Sequence, residues 1–423
     1  KFDTGSGATK APYIDGDTAY AGGANTLYAV NTRTGTELWH VTASDVFSVS
    51  EVYKKTVYCK AGRTVYALDA DSGREKWRFA APEEIGRLAR YSDMICFNSG
   101  NTIYSLDVLT GQEKWRFTGS DKFTDVTIGS GLMAGDLYAA SGKTLYALMT
   151  YTGRERWHVT FRDVVGQTPV VVDNHVIIAT YSNDKGSYWN QWTIHSRSII
   201  DGKERWTSGE YTGVLRSPVI AGNSLIYVVE TGECQTFALN LDSGTQKWQM
   251  GNDGNTIFER DRSVVVYDDA GVYWARNLIF AHEKIPGWVV TVFDLETGTR
   301  KWGPQRILGK LNGPPLLSDG VLYVSMTKHI WGHNLVALDA GTGKTLWETM
   351  IGTGDLGPVV LSRGVLYAKG SDGYLYAIGN PLSFSATPTT GMTPLTVTFS
   401  DTTPQSTSGW SWDFGDESTG TEQ

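Results

Sequence analysis

Short runs of β-branched and aromatic residues, interleaved with polar ones and ended by glycine-bearing pairs, fill most of this 423-residue chain. Residues 357–378, GPVVLSRGVLYAKGSDGYLYAI, show three such runs separated by Arg363-Gly364 and Asp372-Gly373. Runs of this kind with tight Gly-containing breaks predict antiparallel hairpins. Elsewhere a fourth run follows a Thr/Ser-Gly turn and carries a tryptophan. The clearest copies are LYAVNTRTGTELW (27–39), VYALDADSGREKW (65–77), IYSLDVLTGQEKW (103–115) and LVALDAGTGKTLW (335–347). The turn DADSG (69–73) suits a hairpin loop ending in a left-handed glycine, where a Cβ would clash. Each unit is therefore expected to be a four-stranded antiparallel sheet, with strands A to D in chain order.

Trp39, Trp77, Trp115, Trp157, Trp206, Trp248, Trp302 and Trp347 lie 38, 38, 42, 49, 42, 54 and 45 residues apart. Self-similarity at this period marks a repeat architecture whose units need their neighbours. Four-stranded units of this size predict the blades of a β-propeller. A–B–C triplets start near residues 11, 47, 86, 126, 167, 216, 263, 314 and 357, which makes nine units. Tryptophan-bearing D strands follow the first eight, whereas the ninth triplet runs into Pro381. The opening KFDTGSG (1–7) reads like the end of a D strand, as in MIGTGDLG (350–357). The N-terminal strand is thus expected to pair near 374–378, complete the ninth blade and close the ring, removing its open edge. The eight repeat tryptophans are expected to be mostly buried at equivalent positions between blades, where a large ring sets the packing.

The recurring Asp/Asn-x-x-Thr/Ser-Gly-x-x-x-Trp signature resembles the PQQ-type propeller repeat of quinoprotein dehydrogenases and their non-enzymatic relatives, over residues 1–380. Eight blades is the norm in that family, so nine is a departure. Two units also depart in detail: Asp201-Gly202 replaces Thr-Gly, and Met149 stands where Asp or Asn usually sits. The resemblance implies that an enzyme of this family would carry adjacent cysteines, an Asp base and a Glu/Asn calcium site beside the quinone. The chain has no Cys-Cys pair, and no insertion supplies an obvious carboxylate cluster. The expectation is a non-catalytic member without a cofactor.

Residues 381–423 change character, being rich in Thr, Ser and Pro and lacking the repeat. SATPTTGMTPLTVTFSDT followed by WSWDFGDEST resembles the PKD domain, an immunoglobulin-like sandwich, centred on Trp410, Trp412, Asp413, Phe414, Gly415 and Asp416. The resemblance implies a longer domain. The sandwich is therefore expected to be partial, with the chain continuing beyond Gln423 or another chain completing the sheet. It also implies an extracellular or cell-surface setting, and the pairing with a propeller resembles surface-layer proteins of methanogenic archaea. Asp413 and Asp416 could bind calcium; the plainer alternative is that they shape their own turn.

A net charge of −8, scattered along the chain, argues against nucleic acid as a partner. No run of about 18 apolar residues predicts a transmembrane helix, and no Asn-x-Ser/Thr acceptor occurs. Of three cysteines, Cys59 and Cys96 occupy B strands and are expected on opposite sheet faces, too far apart to bridge. Cys234 sits near a B–C turn. So low a count leaves the redox compartment open.

The irregular segments are three long B–C loops, 182–192, 276–288 and 328–333, and the connection 251–262. B–C loops and D–A connections emerge on one face of a propeller. Tyr188, Trp189, Trp192, Phe280, Trp288, His329, Trp331 and His333 are therefore expected to gather over blades five to eight. His329 and His333 have a spacing that aligns metal ligands on a helix, not on a hairpin tip. Elaborated loops on a rigid scaffold are where binding usually resides, and aromatic clusters favour protein or glycan contacts. The alternative is that these rings fold down and plug the channel mouth. The sequence thus points first to a non-catalytic extracellular scaffold or adhesion protein. Its rivals are a subunit of a polymeric surface layer, sheath or filament, and a degenerate quinoprotein or carbohydrate-active enzyme.

Overall fold

A computed structural model describes residues 1–5, 10–129, 135–182, 190–215, 218–230, 234–250, 264–268, 271–279, 286–294, 296–308, 310–312, 315–328, 332–353 and 355–379, with short strands at 384–387, 398–401, 412–413 and 419–420. Among the described residues the strands form nine sheets of four or five strands, together with two short two-stranded ladders after residue 383 and no helix. Neighbouring strands within every sheet are antiparallel, and each of the first eight sheets runs A-B-C-D in chain order, the arrangement of β-propeller blades. The second sheet, with strands Phe47–Tyr53, Thr56–Ala61, Thr64–Asp69 and Glu75–Ala80, is typical. In the fifth, sixth and eighth sheets strand A is split into two pieces, both paired with strand B.

The repeated corner between strands C and D has a common physical basis. In the second sheet Gly73, at φ +70°, donates its N–H to the Asp69 carbonyl at 2.8 Å. The Asp69 carboxylate accepts from the Ser72 amide at 3.0 Å and hydroxyl at 2.8 Å, which holds it below the usual carboxylate range. The two divergent corners keep this backbone. Gly153 donates to Met149 O at 2.8 Å, and Gly202 to Ser198 O at 2.9 Å. The left-handed glycine is therefore the indispensable element, and the acidic side chain an added support.

That glycine is also the floor on which the preceding sheet's tryptophan rests. A Cβ built on Gly73, Gly111, Gly153, Gly202, Gly244, Gly298 or Gly343 would fall within 2.7 Å of the ring of Trp39, Trp77, Trp115, Trp157, Trp206, Trp248 or Trp302 respectively. Six indole N–H groups also donate to a carbonyl of the same corner: Trp39 to Ala70, Trp77 to Val108, Trp115 to Thr150, Trp157 to Ile199, Trp206 to Leu241 and Trp302 to Ala340, at 2.7–3.1 Å. Trp39, Trp77, Trp115, Trp157, Trp206 and Trp248 are accordingly only 6–9% exposed, and Trp302 is half-buried. Trp347 differs from these seven: it is 38% exposed, and the outer strand of the ninth sheet, Phe2–Asp3, comes from the other end of the chain and not through a C–D corner.

Among the described residues, apolar side chains bind neighbouring sheets together. Leu27, Ala29 and Trp39 pack with Phe47, Val57 and Cys59 across the first two sheets. Val65, Ala67 and Trp77 pack with Ile95, Phe97 and Tyr104 across the next pair. Cys59 packs in the first of these clusters and Cys96 in that between the third and fourth sheets, so the two thiols face opposite ways and both are free. Burial pushes the Cys96 thiol up to about 12, and raises that of Cys59 as well. The ninth sheet is built from Val360–Ser362, Val365–Lys369 and Tyr374–Ile378 with Phe2–Asp3 as its outer strand, pairing Phe2 with Leu375 and Asp3 with Tyr374. Thr4 continues this pairing through its amide and hydroxyl, at 2.8 and 2.6 Å from Gly373 O. Leu375 packs with Ala19, Ala21 and Val30 of the first sheet, and Arg363 pairs with Asp17.

One half-buried histidine ties stability to pH. His195 lies between Thr180 Oγ1, 3.0 Å from Nε2, and Thr207 Oγ1, 3.2 Å from Nδ1, with its ring 4.8 Å from that of Phe161. Burial, with Arg197 adding to it, lowers its pKa from 6.5 to about 4. Between those values the unfolded chain holds the proton and the folded one does not, so stability is expected to fall as pH drops from 6.5 towards 4. Chemical denaturation across that range should show the slope in the native protein and a shallower one in His195→Gln.

Candidate functional site

The face that carries the B–C turns and D–A connections is knitted together by backbone bonds. Each connection is anchored to the turn it leaves behind: Ile85 N donates to Gly62 O at 3.4 Å, Phe123 N to Gly100 O at 2.9 Å and Val165 N to Gly142 O at 2.9 Å. Each then docks on the next sheet. Glu83 N donates to Ser99 Oγ at 3.0 Å while Ser99 Oγ donates to Glu83 O at 2.8 Å. Asp121 and Ser141 repeat the exchange at 2.8 and 2.6 Å. The connections are thus fixed elements from which side chains project in defined positions.

An acidic residue occupies one equivalent place in four successive connections. Asp45, Glu83, Asp121 and Asp163 each stand six positions after the repeat tryptophan of their unit. The first three lean over the B–C glycines Gly62, Gly100 and Gly142, where an added Cβ would meet their side chains. Asp45, Glu83 and Asp121 are exposed and Asp163 is half-buried, which makes an acidic rim across adjacent blades. The constant offset is legible in the sequence, but no single motif marks it, and only the docking of the connections brings the carboxylates to one face.

Between two of these connections lies a cavity of about 260 Å³, lined by Glu83, Glu84, Gly86, Asn98, Lys122 and Phe123 among others. Lys122 closes one side by pairing with Glu83 at 3.0 Å. On the other, Asn98 is buried, with Nδ2 donating to Phe123 O at 3.1 Å and Oδ1 without a partner. Lys60, whose ammonium donates to Ile85 O, has its pKa lowered by burial. The pocket therefore presents acceptors and carboxylates beside one paired cation. Among the described residues no group of three or more His, Cys, Asp or Glu is arranged to hold a metal ion.

The sequence-predicted aromatic site is placed only in part. Tyr188, Trp189, Phe280, His329 and Trp331 lie outside the described residues. Trp288 and His333 belong to strands, opposite Asn277 and Thr327, because the B–C ladders run further than expected and shorten the loops at 276–288 and 328–333. Their side chains lie outside the description. Trp192 is a correction. It belongs to strand Gln191–Ser198, between Tyr181 and Tyr211, and is buried with its indole N–H donating to Gly213 O at 2.8 Å. Its alternation with Ile194 and Ser196 puts all three on the inward face, so Trp192 is a core residue and not a contact residue.

Comparison with known proteins agrees with this architecture. A family model described as outer membrane protein assembly factor BamB matches residues 1–96, 99–191 and 191–380. Among solved structures, the computationally designed Ika8 protein is 13% identical with a TM-score of 0.53, over 89% of this chain and 99% of that one. BamB from Moraxella catarrhalis is 15% identical with a TM-score of 0.49, over 78% of this chain and 95% of its own. A europium-containing methanol dehydrogenase is 14% identical with a TM-score of 0.48, over 91% of this chain and 84% of its own. At these identities the likeness concerns the fold alone. No curated protein matches the chain.

Proposed function

The chain belongs to the repeat family described as outer membrane protein assembly factor BamB, and from that premise we propose that it is a non-catalytic scaffold that binds a protein partner through its B–C face. The observation that carries this reading is the acidic rim of Asp45, Glu83, Asp121 and Asp163 on connections anchored to the sheets beneath them. Regularly spaced carboxylates on a rigid surface steer and orient a partner bearing basic side chains. The nine sheets form a closed ring in this reading, supported by the Phe2–Leu375 pairing and by the packing of Leu375 against the first sheet. Residues 381–423 belong to a PKD domain in this reading, which the WSWDFGDE motif supports, and the protein acts outside the cell or at its surface. Neither quinone nor metal takes part.

The experiment is photo-cross-linking in the native host with a reactive residue at the neighbouring exposed position 84, together with an impermeant amine label applied to intact cells. A neighbouring protein should be captured from the rim, and the chain should be labelled from outside. Glu83→Lys combined with Asp121→Lys should lower capture roughly tenfold through lost complementarity while leaving the thermal midpoint unchanged. Undiminished capture by the double variant would refute the rim as the contact surface. A stoichiometric quinone spectrum with dye reduction, after adding pyrroloquinoline quinone and calcium, would refute the non-catalytic reading.

A further inference from the structure

The cavity beside Asn98 owes its chemistry to one exchange within the repeat. Lys60 pairs with Val65 in the second sheet as Asn98 pairs with Ile103 in the third, so the two hold equivalent places on strand B. Both side chains perform the same task. The Lys60 ammonium donates to Ile85 O, and Asn98 Nδ2 donates to Phe123 O at 3.1 Å. Ile85 and Phe123 are themselves equivalent, each bridged to the serine of the sheet that follows, Ser99 and Ser141. The fold therefore asks this position for a donor to the next connection. Lysine meets that demand with donors alone, whereas an amide brings an acceptor with it.

That acceptor, Asn98 Oδ1, belongs to a residue only 8% exposed and has no hydrogen-bond partner among the described residues. It looks onto the cavity wall at Gly86, where an added Cβ would lie 2.0 Å from Asn98 Oδ1 and 2.5 Å from Asp125 Oδ1. Glycine thus leaves room in front of both oxygens. Asp125 Oδ1 has a donor in the Arg87 amide at 2.9 Å, and Asn98 Oδ1 is left short of one. A buried acceptor without a donor is costly, which favours whatever ligand supplies the donor. At about 260 Å³ the cavity holds far more than one water. Its two ammonium groups are engaged, Lys122 with Glu83 at 3.0 Å and Lys60 with Ile85 O, while the exposed carboxylate of Glu84 stands on the same wall. The fitting occupant brings several donors and a positive charge.

We propose that this cavity is a subsite for one arginine side chain of a protein partner, its guanidinium donating to Asn98 Oδ1 and pairing with the Glu84 carboxylate. A guanidinium suits it because its planar fork presents donors to two acceptors at once, which a single ammonium point charge does less well. The subsite presupposes the basic protein partner proposed for the rim and names the side chain that anchors it.

Titration of the full chain with N-acetyl-argininamide, followed by NMR of the Asn98 side-chain amide and the Gly86 and Gly100 backbone amides, tests this. These signals should move and saturate. The lysine analogue and the neutral citrulline analogue should bind about tenfold more weakly, the usual loss for a hydrogen bond to a charged group. Asn98→Lys keeps the donor to Phe123 O, as Lys60 does for Ile85 O, and removes the acceptor; it should abolish the shifts of Gly86 and Gly100 while leaving the thermal midpoint unchanged. Gly86→Ala, which leaves every charge in place, should also block binding. Unmoved amides in the native chain, equal binding of the citrulline analogue, or undiminished binding by Asn98→Lys would each overturn the subsite. The native titration decides the matter even if a variant fails to fold. Failure of the subsite leaves capture at the rim intact, and failure of the rim leaves argininamide binding intact, so the two readings fall separately.

Discussion

Trp115→Ala is expected to destabilise the propeller by about 3–5 kcal/mol, the usual cost of truncating a buried large aromatic ring. Trp115 is 9% exposed, packs with Leu137, Ala139 and Leu148 of the next sheet, and donates to Thr150 O at 2.7 Å. Its removal leaves a cavity at a joint between blades and strands a buried carbonyl. The Gly153 corner provides the internal control. At φ +67°, with Trp115 ring carbons within 2.6 Å of an added Cβ, Gly153→Ala should cost about 1–2 kcal/mol for the left-handed backbone, and more for the collision with the ring. In a Trp115→Ala background the collision disappears and only the backbone part should remain. Chemical denaturation of the four proteins measures this coupling. Strict additivity would show that the ring and the corner do not act as one unit.

Trp192→Ser is expected to cost a comparable amount, about 3–5 kcal/mol. The ring is buried, lies 5.0 Å from that of Tyr181, and covers Gly166, where an added Cβ would come within 2.6 Å of it. Its N–H satisfies Gly213 O, which a serine hydroxyl could not reach from the same Cα. Denaturation monitored by circular dichroism decides the matter. A loss below about 1 kcal/mol would return Trp192 to the surface and restore the exposed aromatic reading, since surface substitutions usually change stability little.

The two experiments address opposite outcomes of sequence reasoning. Trp115 was legible because its context recurs in register, and repetition averages out local accidents. Trp192 is not legible as a core residue because QW begins a run that looks like the end of a polar loop, SNDKGSYWN. Strand ends are set by how far a ladder continues to pair. Ser182 opposite Gln191 extends that ladder beyond the usual two-residue turn. The same lengthening carries Trp288 and His333 into strands.

Sequence alone determined the all-β class, the four-stranded unit, the corner glycine and the tryptophan above it, because each follows from local chemistry repeated at a near-constant period. It also showed that the ninth unit lacks a D strand. Which residues fill that place, and what this does to the eighth tryptophan, depended on contacts between the two ends of the chain. Phe2–Asp3 beside Tyr374–Ile378 supplies an edge strand without supplying a corner. Trp347 therefore shares its motif with seven rings that rest on a corner, six of them buried, and is itself exposed, since burial is conferred by the neighbouring sheet and not by the sequence around the ring. The acidic rim has the same character. Its spacing is written in the chain, but only the docking of each connection across two sheets brings those carboxylates to one face.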